Sequence, residues 1–196
     1  MRNKELISLE VRKLDVNPAQ ITRVLHPQHA ILLTCADANG KANIITLSWY
    51  SPVAFDPPLV ALSIAPQRHS YSMIKETREF VINVPTMDIV KETLFCGRRS
   101  GREYDKFKET GLTPLPSKRV KPPIIKECIA HVECRLIKQM TVGDHEILVG
   151  EVLVAYANEG VFDERYDLHK VRPIFHVAGD YFATLVPETV NPKLNK

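Results

Sequence analysis

Short apolar runs joined by tight turns are the feature that most constrains how this chain can fold. Residues 29–36 form one such run, Asn39-Gly40 follows, and residues 42–49 return as a second run. An Asn-Gly pair between two apolar runs is the strongest short signal of a β-hairpin. Residues 131–140 and 146–157 form a second ribbon around a turn at 142–145. The spacing therefore predicts a mostly antiparallel sheet.

The remaining runs complete a β-rich order of elements. Strands are predicted at 58–65, 79–84 and 174–185, and helices at 70–77 and 88–96, with one further helical turn stopped by Gly111. Seven or eight strands with two or three short helices favour a β-barrel that carries inserted helices. The long Pro-rich connection at 111–123 is typical of a functional segment or a partner surface.

Length and composition favour one domain and exclude several function classes. The 196 residues, 44% of them hydrophobic, are enough for a single domain over 1–196, with a polar tail from about residue 186. A net charge of +3 without a basic stripe argues against a nucleic-acid partner. Apolar runs of about eight residues are too short to span a membrane. The charged N-terminus shows no signal peptide, so we expect a cytoplasmic protein.

The cysteines and histidines give no pattern of a disulfide framework or a metal site. Cys128 and Cys134 would lie about 20 Å apart along an extended strand, too far to bridge each other. Reduced thiols are therefore expected at all four cysteines, including Cys35 and Cys96. The histidines offer only His26-x-x-His29, and no metal is predicted.

A cationic and hydroxyl-rich junction lies where the strand 58–65 gives way to the helix 70–77. It holds Arg68, His69, Ser70 and Ser72. Free backbone N–H groups at a helix N-terminus bind anions, and a guanidinium with hydroxyls adds phosphate donors. The alternative is that Ser70 merely caps the helix and Arg68 is solvated. Met73 stands where a capping box would have Glu.

Two further constellations accompany this junction. Ser100, Gly101 and Lys106 follow a Gly-containing loop, and Asp105 would either orient Lys106 or cap the next turn; the alternative is an ordinary surface loop. In residues 43–58, strand alternation places Thr46 and Ser48 on one face and Leu47 and Trp49 on the other. The two hydroxyls would bond neighbouring backbone or meet the polar edge of a planar ligand. No Walker loop and no GxGxxG fingerprint is present.

Five segments, in order, resemble the flavin reductase-like family of FMN-binding split barrels, which includes the flavoredoxins. They are NIITLSWYSPVAFDPP (43–58), APQRHSY (65–71), EFVINVP (79–85), FCGRRSGREYDKF (95–107) and HVAGDYF (176–182). Together they cover roughly residues 30 to 182. The resemblance implies a six-stranded, Greek-key, mostly antiparallel split β-barrel with short inserted helices. It also implies a homodimer with FMN near the subunit interface.

The resemblance further implies roles for individual residues. Thr46, Leu47, Ser48 and Trp49 would line the flavin ring, Arg68 and Ser70 would meet the phosphate with His69 beside them, and Asn83 would contact the ribityl chain or ring edge. Cys96, Ser100, Gly101 and Lys106 would close the phosphate side, and Ala65, Asp105 and Phe107 complete the implied FMN-binding set. His176 fits the nicotinamide side as the candidate catalytic residue, with a purely structural histidine as the alternative.

Three functions follow as hypotheses. The first is an NAD(P)H-dependent flavin or FMN reductase, with NADH or NADPH as a transient substrate. The second is a flavoredoxin-type electron carrier whose tightly bound FMN exchanges electrons with protein partners. The third is a barrel that binds haem or another cofactor, against which Trp49 and the two phosphate-like elements argue. Cys96 stays open between a small buried residue and a redox-active thiol.

Overall fold

The structure is a computed structural model that describes residues 13–192. The charged N-terminal segment at 1–12 and the last four residues of the polar tail lie outside this range, as do the expectations stated for them. The strands are β1 Gln28–His29, β2 Ile31–Ala36, β3 Ala42–Leu47, β4 Tyr50–Phe55, β5 Pro58–Ile64, β6 Glu79–Val84, β7 Pro114–Leu115, β8 Ile124–Ile125, β9 Ala130–Val142, β10 His145–Ala157, β11 Phe162–Asp163, β12 Arg165–Tyr166, β13 Phe175–Ala178 and β14 Tyr181–Ala183. The helices are α1 Ile21–Leu25, α2 His69–Thr77, α3 Val90–Arg98 and α4 Lys106–Thr110, with 3₁₀ turns at Pro18–Gln20 and Met87–Ile89.

Seven strands form one antiparallel sheet in the order β3-β2-β6-β9-β10-β5-β4. Its two edge strands, β3 and β4, are separated in sequence only by Ser48 and Trp49. The sheet must therefore curl until its edges approach each other at this link. The Ser63 N–H donates to the Trp49 carbonyl at 2.9 Å and fastens the link to β5. The fold is mainly β, with 41% strand and 19% helix, as the sequence predicts.

The barrel interior is filled by apolar side chains from alternate positions of the curled sheet. Gly150 allows this packing, because a Cβ atom at that position would lie 2.4 Å from Phe80 Cζ. Helix α2 closes one end with Met73 and Ile74. The other buried members of this core are Ile31, Leu33, Cys35, Ile45, Val60, Leu62, Ile64, Ile82, Cys134, Leu136 and Leu148.

Strand β2 is buried on both faces, which fixes the helices that carry the site. Its alternate residue Leu32 faces away from the barrel interior into a second core with Ile44 and Cys96. Phe107 of α4 packs against this second core. Helices α3 and α4 are thereby held against β3, so that the loop between them lies beside the end of that strand.

The main strands and helices agree with the sequence prediction, but the large sheet has seven strands where the resemblance implies six, and several short elements were not predicted. The edge strand β4 was not expected, because Pro52 and the Asp56-Pro57-Pro58 turn weaken its pattern. The predicted single strand at 174–185 is instead the hairpin β13–β14, because Gly179 adopts φ +55° and reverses the chain. Strand β3 also ends at Leu47, so Ser48 and Trp49 lie in the link and not on a regular strand.

The Pro-rich connection at 111–123 is fastened to the outer face of the sheet by buried acceptors. The fully buried Glu133 carboxylate accepts from the backbone N–H groups of Lys118 at 2.7 Å and Arg119 at 2.5 Å. The Tyr156 hydroxyl donates to the same carboxylate at 2.8 Å. Since each of these donors would otherwise lack a partner, Glu133 fixes the middle of the connection.

A buried imidazole gives the fold a pH-dependent stability. His131 is 3% exposed, and its Nδ1 donates to Asn83 Oδ1 at 2.8 Å. Burial lowers the pKa of His131 from 6.5 to about 4. The unfolded chain therefore binds this proton at a higher pH than the folded one does, and stability is lost as pH falls from 6.5 towards 4.

We expect the free energy of unfolding to fall by about 2 kcal/mol between pH 7 and pH 5 because of His131 alone. Urea unfolding at several pH values measures this slope. The His131→Gln variant keeps a hydrogen-bonding group without the titration, so its slope should be flatter by that amount. Equal slopes for both proteins would show that His131 does not titrate in this way.

Candidate functional site

The helix α2 begins at an exposed turn that presents cationic and polar groups. Its N-cap residue is Arg68, whose side chain forms no capping hydrogen bond within the described chain. Ser70 is 1% exposed and accepts a hydrogen bond from Asn43 Nδ2 at 2.8 Å, so it is not the helix cap. The Ser72 hydroxyl donates to the His69 carbonyl at 2.8 Å. Leading backbone N–H groups and a guanidinium therefore share this turn.

The loop that follows α3 lies against the same turn. The Arg102 guanidinium donates to the Gln67 carbonyl at 3.0 Å and joins the two loops. Gly101 is required here, because a Cβ atom at that position would lie 2.2 Å from Asn43 Oδ1. This close approach lets the Asn43 amide stand between Ser70 and the loop. Asn43 was missed by the sequence analysis, since only the folded structure brings it beside both segments.

Lys106 places a buried ammonium at the base of the pocket that the α2 turn and the loop after α3 line. It is 4% exposed, and Nζ donates to the carbonyls of Ile44 and Cys96, both at 2.7 Å. Burial lowers its pKa. An ammonium has three donors, so one remains for a ligand in the cavity that Lys106 lines.

Residues at the β3–β4 link form the opposite, less charged end of the site. The Thr46 hydroxyl donates to the Thr93 carbonyl at 2.5 Å, which ties the end of β3 to α3. A Cβ atom at Gly97 would lie 3.2 Å from Thr46 Cβ, so a small residue keeps this approach open. The Trp49 ring lies 5.0 Å from the His145 ring and is 39% exposed. These residues form an amphipathic wall in which the Trp49 ring is partly exposed.

His176 and Phe182 from the β13–β14 hairpin complete that end. His176 Nε2 lies 3.0 Å from the Gly179 carbonyl, and the two rings of His176 and His26 are 4.9 Å apart, edge to face. Because a carbonyl only accepts, Nε2 must carry the proton, and Nδ1 of the neutral ring is an acceptor. Arg98 pairs with Asp180 at the tip of the hairpin at 2.5 Å and holds it against α3.

Three adjoining cavities make these parts one cleft, since Arg68 and Gly97 line all of them. The cationic cavity has a volume of about 390 Å³, the cavity beside His176 about 310 Å³ and the cavity beside Trp49 about 250 Å³. A cleft of this size with a few convergent polar groups is typical of a small-molecule site. One end of the cleft is cationic and suits an anion, and the other end is lined by an aromatic ring.

The structure brings most of the sequence-predicted site residues to this cleft. Those that line it are Thr46, Leu47, Ser48, Trp49, Ala65, Arg68, His69, Ser70, Cys96, Ser100, Gly101, Lys106 and His176. Arg98, Arg99 and Arg102 also line it; they belong to the basic cluster CGRRSGR, which the sequence left open between a solvated loop and a small anion site.

Three of the predicted residues are placed elsewhere. Asn83 is fully buried on β6, where its amide bonds Leu32 and Ile125 backbone and the His131 ring. The Asp105 carboxylate caps α4 by accepting from the Lys108 N–H at 3.2 Å. Phe107 packs into the core beneath α3. None of the three lines the cleft among the described residues.

Cys96 lies beneath the cleft as a buried thiol. It is fully buried, and burial raises its pKa to about 12. Because the thiolate is the reactive form, this environment favours the small buried residue over a redox-active thiol. All four cysteines are buried and free.

Within residues 13–192, no group of three or more His, Cys, Asp or Glu side chains is arranged to hold a metal ion. In the same part of the chain, no helix is long and apolar enough to cross a membrane.

Comparisons with known proteins agree with this geometry. Residues 23–184 match the family model of the flavin reductase like domain. An uncharacterized protein of Archaeoglobus fulgidus is 37% identical over 78% of this chain and 86% of its own, and a flavin reductase of Pseudomonas putida is 27% identical over 74% and 84%. The solved flavoredoxin from Methanosarcina acetivorans is 28% identical, covers 92% of this chain and 95% of its own, and superposes with a TM-score of 0.81. The chain belongs to the flavin reductase-like family.

Proposed function

We propose that this protein is an FMN-binding flavoprotein that works as an NAD(P)H-dependent flavin or FMN oxidoreductase. The observation that carries the proposal is the single cleft that joins a cationic pocket at a helix N-terminus to an aromatic, amphipathic end. FMN has its parts in the same order, because a short polar chain links its phosphate to a planar ring. The relationship to flavin reductases and flavoredoxins supports this assignment.

The cationic end would hold the phosphate. The N–H groups that begin α2, the Arg68 guanidinium and the remaining donor of Lys106 all converge on the same cavity. Ser100 lines it as a further hydroxyl donor. Charge-assisted hydrogen bonds of this kind are about twice as strong as neutral ones. Asn43 and Gly101 support these donors by fixing the positions of Ser70 and of the loop after α3.

The other end would hold the ring. Thr46, Leu47 and Ser48 line the cavities on one side, and Trp49 closes the outer one. When bound, FMN supplies the acceptor for a hydride delivered by a nicotinamide. The residues of this chain would orient the two rings and exclude water, and Nδ1 of His176 would offer a hydrogen-bond acceptor at the nicotinamide side. No proton transfer by a side chain is needed for the hydride step itself.

Replacing His176 tests its part in this arrangement. We expect His176→Ala to lower kcat/KM for NAD(P)H about tenfold, because one hydrogen-bond acceptor at the nicotinamide is lost. The Kd of FMN should change less than twofold. Steady-state oxidation of NAD(P)H with saturating FMN measures the first, and flavin titration the second. The exposed His169→Ala is the matched control, and unchanged nicotinamide kinetics in His176→Ala would remove His176 from the mechanism.

A second candidate is the flavoredoxin-type electron carrier, favoured by the likeness to the flavoredoxin of Methanosarcina acetivorans. The two functions differ in how electrons reach the bound flavin. Fast NAD(P)H oxidation with excess free FMN supports the reductase. Tightly bound flavin that is reduced only through a redox protein supports the carrier.

The homodimer belongs to the same proposal and is supported by an apolar surface. Phe55 is fully exposed, and beside it strands β4, β5, β6, β9 and β10 line an almost purely apolar hollow of about 330 Å³. Exposed apolar patches of this kind mark interfaces. Analytical ultracentrifugation of the wild type and of Phe55→Asp tests it: a dimer that becomes monomeric is expected, and a monomeric wild type contradicts it. We also propose a cytoplasmic location, which the four free thiols support.

A further inference from the structure

The cationic cavity carries more positive charge than one phosphate monoester can neutralise. Five of its lining side chains are cationic, namely Arg68, Arg98, Arg99, Arg102 and Lys106, whereas no carboxylate is among its described lining residues. Asp180 pairs with Arg98 and leaves four. A phosphate monoester carries about two negative charges at neutral pH. About two positive charges therefore remain.

The charged groups that act on His69 do not remove this excess. Asp37 and Lys41 are the other charged groups that act on His69 from outside the cavity lining, and their opposite charges offset each other. His69 itself lines the cavity, and burial first and the nearby cations second lower its pKa. The field inside the cavity is therefore positive even where the neutral imidazole contributes nothing.

The cations divide into an inner and an outer set. The inner set is Lys106, which is buried at the base of the cavity that the buried Ser70 also lines. Arg99 and Arg102 are exposed at the mouth, yet both are held in place. The Arg102 guanidinium bonds the Gln67 carbonyl at 3.0 Å, and the Arg99 guanidinium lies 5.6 Å from the centre of the Tyr104 ring. Guanidinium groups fixed by such contacts lose less entropy on binding a phosphate.

We propose that Arg99 and Arg102 form a second phosphate position at the mouth of the cleft, which takes the additional phosphate of a dinucleotide. This inference rests on the proposed function, since the inner position is assigned to FMN. The shared chemistry is a second phosphate group, supplied either by FAD in place of FMN or by the nicotinamide dinucleotide that donates the hydride. Both ligands carry at least one phosphate more than FMN does.

The test uses FMN-loaded protein titrated with inorganic pyrophosphate by calorimetry, so that the inner position is already filled. Arg99→Gln and Arg102→Gln should each weaken pyrophosphate binding about tenfold, and Arg99→Gln should leave the Kd of FMN within twofold. Arg135→Gln, at an exposed position on β9, is the matched control and should change neither. Whether FMN loads at all is seen before the titration, so failure of the proposed function is recognised separately.

Two further arms distinguish the sources. If FAD supplies the phosphate, the two variants raise the Kd of FAD about tenfold and leave the KM of NADPH and NADH unchanged. If the nicotinamide dinucleotide supplies it, the KM of NADPH or NADH rises about tenfold at saturating FMN and the Kd of FAD is unchanged. The proposal is overturned if Arg99→Gln weakens FMN and pyrophosphate together, which indicates one shared position, or if pyrophosphate binds all variants equally.

Discussion

Replacing Arg68 by Gln should raise the Kd of FMN about 100-fold. Arg68 lines all three parts of the cleft, and its guanidinium has no hydrogen-bond acceptor among the described residues. It is therefore free to give a bidentate, charge-assisted pair to a phosphate, and the loss of such a pair costs about 3 kcal/mol. Quenching of flavin fluorescence on titration with the apoprotein measures the affinity.

The Arg68 variants separate charge from geometry. Arg68→Lys keeps a point charge without the planar fork, so its affinity should lie between those of the wild type and Arg68→Gln. The fold should be unaffected in both, because the Arg68 side chain does not cap α2. Arg135→Gln serves as the control for a general change in charge. A Kd in Arg68→Gln within threefold of wild type would place the phosphate elsewhere.

Replacing Glu133 by Ala should lower the free energy of unfolding by about 4 kcal/mol. The change leaves two backbone N–H groups, of Lys118 and Arg119, and the Tyr156 hydroxyl without their acceptor. Each hydrogen bond to a charged acceptor contributes about 1.5–3 kcal/mol, and part of this is recovered where a freed donor reaches water. Denaturant unfolding followed by circular dichroism measures the loss.

Two further variants show which groups cause the loss in the free energy of unfolding. Glu133→Gln keeps one acceptor but adds amide donors that face the same N–H groups, so an intermediate loss of about 2 kcal/mol is expected. Glu159→Ala removes an exposed carboxylate and should change stability by less than about 0.5 kcal/mol. Equal stability of Glu133→Ala and Glu159→Ala would mean that the 111–123 connection is held by other contacts.

Local signals were enough to predict much of this fold. The Asn39-Gly40 turn, the ribbon β9–β10 and the stop of α4 at Gly111, which adopts φ +71°, all follow from residues adjacent in sequence. Strand β4 could not be found this way, because its proline-containing pattern becomes a strand only by pairing with β5 at the edge of the sheet. The curl of the sheet likewise depends on which strands pair.

The candidate site divides in the same manner. The Arg68 to Ser70 junction was visible because strand, cations and helix follow one another in sequence. The bond from Asn43 to Ser70 and the ion pair from Arg98 to Asp180 join residues far apart in sequence and needed the fold. Glu133 shows the same limit, since a carboxylate in a strand is expected to face solvent until a long connection covers it.

The visible absorption spectrum of the purified protein shows whether this cleft holds FMN. We expect a yellow protein that releases FMN on denaturation. If the protein is purified without flavin, we expect added FMN to quench the Trp49 fluorescence, because Trp49 lines the cleft. A colourless protein whose Trp49 fluorescence does not respond to FMN would contradict this expectation and would leave a split barrel without a flavin site.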